Sequence, residues 1–330
     1  LIVKCNNELS TERFVNIGVP QGSVLGPTLF LIYINDLNNH IHTGSANLYA
    51  DDVVIYCNAS NSADLNVGLQ SCINDVSEWY RGNRLQINAT KSNTMCITSN
   101  NMVDKSLLNV NITCNGDEIP FTDSAQYLGM TIDQTLSWED HINNLCKSLG
   151  FKLARLRRAK KKLSIPSLLK IYNGIIQPTI DYAITIWGSA TESNISRVQS
   201  LQNSAARIIL NNFDYINTRG VELVSQLGWM TVRQRFDYFR LILIFKCIHG
   251  LAPTYLQNEI TLSIEVNDYT SRTHDLNLYL PILPNEFYRR KLMYGGAKSW
   301  NDLPGALKDL TSIDSFKYHL KSFIKQRDNA

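Results

Sequence analysis

The 330 residues are 44% hydrophobic and 18% charged, proportions that belong to a globular protein and exclude an intrinsically disordered one. The formal net charge is only +3, so any attraction to a polyanion has to come from local clustering. Seven cysteines (Cys5, Cys57, Cys72, Cys96, Cys114, Cys146 and Cys247) lie far apart, with no Cys-x-x-Cys pair and no histidine at zinc-ligand spacing, which excludes a disulfide scaffold or zinc knuckle and points to a reducing, intracellular setting. No apolar run approaches the length of a membrane span, and no signal peptide opens the chain. The sequons at Asn58, Asn88, Asn111 and Asn194 read as chance matches in an Asn-rich chain. Beginning at Leu1 and not at Met, the chain reads as a piece of a longer product.

Residues 13–19 alternate weakly and run into Pro20-Gln21-Gly22-Ser23, a turn that can also cap a helix. Leu29, Phe30, Tyr33, Ile34 and Leu37 recur at helical spacing and predict a helix over 28–37. The stretch NLYADDVVIYC reads as two short strands folded about Ala50-Asp51-Asp52. Leu65, Leu69, Cys72, Ile73, Val76 and Trp79 mark an amphipathic helix capped by Ser62 or Asp64. Residues 85–98, 110–114 and 126–132 alternate like strands, and CNGDEI between the last two is a hairpin signal. From Trp138 the period becomes helical, with Ile142, Leu145, Leu149, Leu153 and Leu156 on one face. Helices are also predicted over 164–187, 196–210, 219–249 and 312–326, with breaks at Pro178 and Gly188. The fold class is therefore α+β: a mixed unit to about residue 133, then an all-helical remainder in which Trp187, Trp229 and Trp300 read as core.

Asp51 and Asp52 interrupt an apolar stretch where charge should be costly to desolvate. Two readings fit. One is a polar hairpin turn, for which Asp is a common choice. The other is a two-metal site, in which paired carboxylates at a tight turn hold two cations, one activating an attacking oxygen and one steadying the leaving oxygen. The second reading has the pair buried near the strand tip, neutralised by metal and phosphate.

The neighbouring blocks bear on the choice. GVPQGSVLGPTLFLIYINDL (18–37), YADD (49–52), LQINATKSNTM (85–95) and QYLGMTIDQTLSWEDHI (126–142) resemble, in that order, the reverse transcriptases of non-LTR retrotransposons, the jockey-like LINE group in particular. The tail segments YTSRTHDLNLYLP and AKSWNDLP look like the carboxyl-terminal regions of those elements. The resemblance implies an RNA-directed DNA polymerase that adds dNTPs to a primer 3′ end by two-metal phosphoryl transfer. Its metal would be Mg²⁺, with Mn²⁺ as a substitute. Its nucleic-acid partners would be an RNA template, a DNA primer and target DNA, in cytoplasm and nucleus, with no membrane involved.

Residue by residue, the resemblance makes Asp51 and Asp52 the metal ligands and puts Tyr49 near the primer end or incoming nucleotide. Gln21 and Gly22 would touch the template–nucleotide pair, and Lys91 would sit beside the triphosphate. Tyr127, Leu128 and Gly129 match the hairpin that grips the primer. Residues 1–133 would be a partial palm, an antiparallel sheet with helices. A thumb would follow over 134–215, then a helical region of unknown role over 216–330.

KLARLRRAKKK (152–162) carries seven positive charges in eleven residues and no negative one. It is either a solvated helix face, with a nuclear-import signal as a compatible role, or the thumb surface that binds nucleic-acid backbone through Lys152, Arg155, Arg157, Arg158, Lys160, Lys161 and Lys162. The resemblance also calls for a third carboxylate on a strand several tens of residues before Leu1. Glu8 and Glu12 lie too close to the next block to supply it. The chain alone is thus expected not to polymerise, and the alternative reading is a non-catalytic nucleic-acid-binding remnant of a retroelement.

Overall fold

The computed structural model describes residues 2–14, 18, 22–98, 110–266, 274–282 and 292–327. They form two compact units, Leu1–Tyr127 and Leu128–Ala330, of mixed α+β and of mainly helical character.

In the first unit, strands β1 (Lys4–Cys5) and β2 (Glu8–Leu9) pair as a short exposed hairpin. Helix α1 (Gly26–Ile34) begins with Pro27 in its first turn, where the missing N–H costs nothing. Strands β3 (Ser45–Tyr49) and β4 (Asp52–Tyr56) pair antiparallel, with Tyr49 opposite Asp52 and Leu48 opposite Val53. Helix α2 spans Ser62–Gly82. Its cap is Asn61 and not the expected Ser62 or Asp64; the Asn61 side chain accepts from Asp64 N at 2.8 Å. Strands β5 (Ile112–Cys114) and β6 (Asp117–Ile119) form the expected hairpin, and Asn115 and Gly116 both take positive φ, as a two-residue turn of this kind requires. Strand β7 (Ser124–Tyr127) closes the unit.

Helix α2 is the wall on which this unit is built. Val76 and Trp79 cluster with Ile34 and Leu37, joined by Leu48, Val53 and Ile55 of the β3–β4 hairpin. Leu65, Leu69 and Ile73 pack against Val110, Ile112, Cys114 and Ile119. Gln70 completes the second contact with an amide pair to the edge of β5, donating to Thr113 O at 2.8 Å and accepting from Thr113 N at 2.9 Å.

The predicted strand over 85–98 does not form. A short 3₁₀ turn occupies Ala89–Lys91, and Thr94 makes one isolated bridge to Phe121. The Asn88 side chain accepts from Thr90 Oγ1 and Lys91 N, a local alternative that competes with a ladder. Helix α1 also buries less than its period implied. Ile34 and Leu37 are core, whereas Leu29 and Tyr33 are exposed.

The second unit opens with β8 (Met130–Asp133) and a tight turn into α3 (Glu139–Lys160). Leu136 and Trp138 are both in the left-handed region, at φ 52° and 64°. Asp133 holds them there. Its carboxylate accepts from Thr135 Oγ1 at 2.6 Å, Trp138 N at 2.8 Å, and Thr135 N and Ser137 N at 3.0 Å each. Partial burial alone would raise the Asp133 pKa, but these donors outweigh it and hold the group below the ordinary carboxylate value.

The predicted helix over 164–187 is broken into α4 (Ile165–Ile171), a π-helical turn (Tyr172–Ile176), α5 (Gln177–Asp181) and α6 (Ile184–Trp187). The wider π turn lies where the Pro178 ring would press on the carbonyl four residues back. Helix α7 starts earlier than predicted, spanning Glu192–Leu210. The predicted helix over 219–249 is two helices, α8 (Gly220–Gln226) and α9 (Val232–Ile248), parted by Gly228 at φ 69° and restarted by a Thr231–Gln234 capping box.

Trp187 and Trp300 are fully buried, and Trp229 stacks on Tyr172 with centroids 3.6 Å apart. The two tail segments dock on each other. Trp300 Nε1 donates to Leu276 O, and Asn301 bonds both N and O of Leu278, all at 2.8 Å. Residues 269–273 of that tail lie outside the described residues.

Two stability predictions follow from these turns. Gly44, at φ 79°, precedes β3, and a Cβ there would lie 2.7 Å from Tyr56 O and 2.9 Å from Cys72 Sγ; Gly44→Ala lowers unfolding stability by about 2 kcal/mol or more, read from the denaturant midpoint. Asp133→Asn costs about 2 kcal/mol at neutral pH. Because the folded pKa of Asp133 is depressed, its stabilisation is complete above the unfolded value of roughly 4 and is lost as pH falls through the folded value. The gap between wild type and variant therefore closes in acid, and a gap that stayed constant with pH would refute the charge-based role.

Candidate active site

The β3–β4 hairpin has two faces, because side chains alternate along a strand. Leu48, Val53 and Ile55 point to the α2 cluster. By the same alternation Asn47, Tyr49, Asp52, Val54 and Tyr56 occupy the opposite face. Ala50 and Asp51 form the two-residue turn between Tyr49 and Asp52. Ala50 sits in the left-handed region at φ 53°, a conformation that costs a non-glycine residue on the order of 1 kcal/mol.

Asp51 and Asp52 are both exposed, as is Tyr49 at 63%. The expected burial of the pair is therefore corrected: the apolar run is half-buried by α2, but the carboxylates stand beyond its edge in solvent. Two phenols lie within electrostatic reach of them. Burial, and then the Asp51 charge, raises the pKa of Tyr80; burial, and then the Asp52 charge, raises that of Tyr127. Both phenols stay protonated and keep a donor available near the pair.

Gly22 takes φ 83° in an exposed turn, with nothing within 4 Å of the position a Cβ would fill. Ser23 Oγ then accepts from Gly26 N at 3.0 Å as α1 begins. Gln21 lies outside the described residues. Lys91 is exposed at the end of its 3₁₀ turn. Among the described residues no group of three or more His, Cys, Asp or Glu side chains could hold a metal ion.

Leu128 and Gly129 open the second unit, both at positive φ, 47° and 74°. Tyr182 braces this turn. Its hydroxyl donates to Leu128 O at 2.5 Å, and its ring would lie 3.6 Å from a Cβ at Gly129. Tyr182 is itself fixed from both sides: Trp187 Nε1 donates to its carbonyl at 2.9 Å, and the preceding Asp181 makes a bidentate ion pair with Arg235. Sequence reading missed Tyr182, because 54 residues separate it from Leu128.

On α3, Leu153 and Leu156 are buried, so the cations stand away from the core. Arg155, Arg157, Arg158, Lys161 and Lys162 are exposed. Lys152 is bonded to Thr179 and Lys160 to Asn211, so these two point to protein.

Residues 1–132 match the family described as reverse transcriptase (RNA-dependent DNA polymerase). The chain is 34% identical over 214 residues to the probable RNA-directed DNA polymerase from transposon X-element of Drosophila melanogaster, covering 63% of this chain and 23% of that protein. It is 31% identical over 223 residues to the RNA-directed DNA polymerase from mobile element jockey of Drosophila funebris, covering 64% and 24%. In its first 132 residues and beyond them, the chain is similar to the jockey-like reverse transcriptases of non-LTR retrotransposons. A third relative, the probable RNA-directed DNA polymerase from transposon BS of Drosophila melanogaster, is 29% identical over 246 residues, with 72% of this chain and 27% of that protein covered. The chain spans about a quarter of the length of these curated relatives. No solved structure matches it.

Within this chain the block QYLGMTIDQTLSWEDHI divides into parts. Asp133 and Trp138 build the turn into α3. His141 is buried, and desolvation lowers its pKa, so it is a neutral imidazole at pH 7. Removing the Tyr182 hydroxyl tests the brace on Leu128-Gly129: Tyr182→Phe raises amide hydrogen exchange across 126–132 about fivefold, the equivalent of one lost hydrogen bond. Unchanged exchange there would show that the turn holds itself.

Proposed function

We propose that this chain supplies the carboxylate hairpin, primer-gripping turn and thumb of an RNA-directed DNA polymerase. In this reading residues 1–133 act as part of a palm, 134–215 as a thumb and 216–330 as a helical carboxyl-terminal region. The observation that carries it is the β3–β4 tip, where one sealed face leaves Tyr49, Asp51 and Asp52 together in solvent.

Asp51 and Asp52 are the Mg²⁺ ligands in this proposal. Their oxygens suit a hard cation, and Mg²⁺ is commonly held by one or two carboxylates with substrate phosphates completing its shell. When bound, the metal pair activates the primer 3′ oxygen and offsets phosphate charge. The remaining roles belong to the protein. Tyr49 meets the primer end or incoming nucleotide, and Gln21 and Gly22 meet the template–nucleotide pair. Lys91 offers a cation and a proton to departing pyrophosphate. Tyr127, Leu128 and Gly129 hold the primer, aided by the Tyr182 brace. Arg155, Arg157, Arg158, Lys161 and Lys162 carry the duplex backbone, with Lys152 and Lys160 in a lesser part because protein oxygens already engage them.

Placed in a jockey polymerase in exchange for the matching segment, this chain supports RNA-templated primer extension. Asp51→Asn lowers that extension by about a thousandfold, with duplex affinity kept. Extension that survived the change would remove Asp51 from the metal site.

A non-catalytic nucleic-acid-binding role is the second reading. The exposed cations Arg155, Arg157, Arg158, Lys161 and Lys162 serve it without any call on the carboxylate pair. Under it the same chimaera binds template–primer duplex and extends nothing.

A further inference from the structure

The segment between α7 and α8 is irregular in path but firmly held. Arg207 is buried, at 5% exposure, and spends its guanidinium on this segment's backbone. It donates to Asp214 O at 2.9 Å, to Thr218 O at 2.6 Å and, at 3.4 Å, to Asn212 O. Asp214 fastens the far side, accepting from Ile216 N at 3.0 Å and from Asn217 N and Nδ2 at 2.9 Å each. A buried cation committed to loop carbonyls is a costly way to make a connection.

What this frame displays is apolar. Phe213 is 45% exposed, Tyr215 68% and Ile216 93%. Each ring has a cation against it: Arg207 lies 4.3 Å from the Tyr215 centroid, and Lys160 lies 5.0 Å from that of Phe213 while bonding Asn211. Arg157 and Lys161 stand exposed beside Lys160, related by one helical turn, and Arg219 is exposed where the segment ends. The segment's one carboxylate, Asp214, is taken up internally.

We propose that Phe213 and Tyr215 form a stacking platform for single-stranded nucleic acid, whose phosphates are carried by Arg157, Lys161 and Arg219. Exposed rings interleaved with cations are what an unpaired strand needs, since every base offers a π face and every nucleotide a negative charge. The cations against the rings, with Arg157, Lys161 and Arg219 exposed on the adjoining α3 and segment end, favour a polyanion over an apolar protein surface. Arg155 and Arg158 lie around the helix from Arg157 and Lys161, so in this proposal they serve the duplex alone, while Arg157 and Lys161 are shared by duplex and single strand. The proposal shares α3 with the thumb reading but does not depend on the carboxylate pair.

Fluorescence anisotropy at one fixed salt concentration, with the whole chain and labelled oligo(dT), oligo(U) and a DNA–RNA duplex, tests it. Tyr215→Leu combined with Phe213→Leu keeps the apolar surface but removes the rings; it weakens binding of both single strands about tenfold or more and leaves duplex affinity within about twofold. Tyr215→Phe binds as wild type. Arg155→Ala with Arg158→Ala does the reverse, weakening duplex more than single strand. Single-strand affinity unchanged in the double Leu variant overturns the platform, and so does an equal loss for single strand and duplex. Failure of the Arg155/Arg158 pair to affect duplex counts against the thumb reading alone.

Discussion

An isolated two-stranded hairpin is marginal in water, and β3–β4 persists because Leu48, Val53 and Ile55 lie against Val76 and Trp79 of α2. Strand alternation then leaves no freedom: once these residues face the helix, Tyr49 and Asp52 must face away. The ends of the hairpin are tied to the same helix. Cys72 Sγ donates to Thr43 O, and His42 N donates to Asp75 Oδ2 at 2.9 Å. Gly44 takes the positive φ that lets the chain pass Cys72 closely enough. A slip of one residue would carry both the carboxylate and the apolar set to the wrong sides.

The second unit relies on polar anchors set into an apolar interior. Tyr172, fully buried in the π-helical turn, accepts from Gln202 Nε2 at 3.1 Å, and burial pushes its pKa up to about 12. Gln202 also donates to Met230 O at 3.0 Å, which ties α7 to the entry of α9. Asp181–Arg235 fixes the end of α5, and Arg240 and Arg327 meet on Asp237. Partly buried ion pairs of this kind add little net stability but are destabilising to break. The Asp181–Arg235 pair thereby fixes the end of α5 just before Tyr182.

Likeness to the jockey-like polymerases does not make every residue of the quoted blocks chemical. In the block 126–142, Asp133, Trp138 and His141 are spent on the turn and on packing, while Tyr127 stands near Asp52. In the tail, Trp300 and Asn301 of AKSWNDLP hold the backbone of Leu276 and Leu278. These motifs carry instructions for folding.

The sequence by itself determined the elements that depend on near neighbours. Apolar strand residues on either side of the charged turn Ala50-Asp51-Asp52 marked the β3–β4 hairpin, Asn115-Gly116 marked the next one, and the spacing of apolar residues marked α2 and α3. Its four ordered blocks pointed to the family. Tertiary structure alone decided what depends on distant partners. The exposure of Asp51 and Asp52 was not legible, because it follows from where the cover supplied by α2 stops. The strand over 85–98 was lost to a side-chain bond from Asn88 that periodicity does not register. Tyr182 on Leu128-Gly129, and Arg207 beneath Tyr215, join residues through packing of whole helices. A linear pattern records which residues can be buried, but only the packed chain fixes which of them meet.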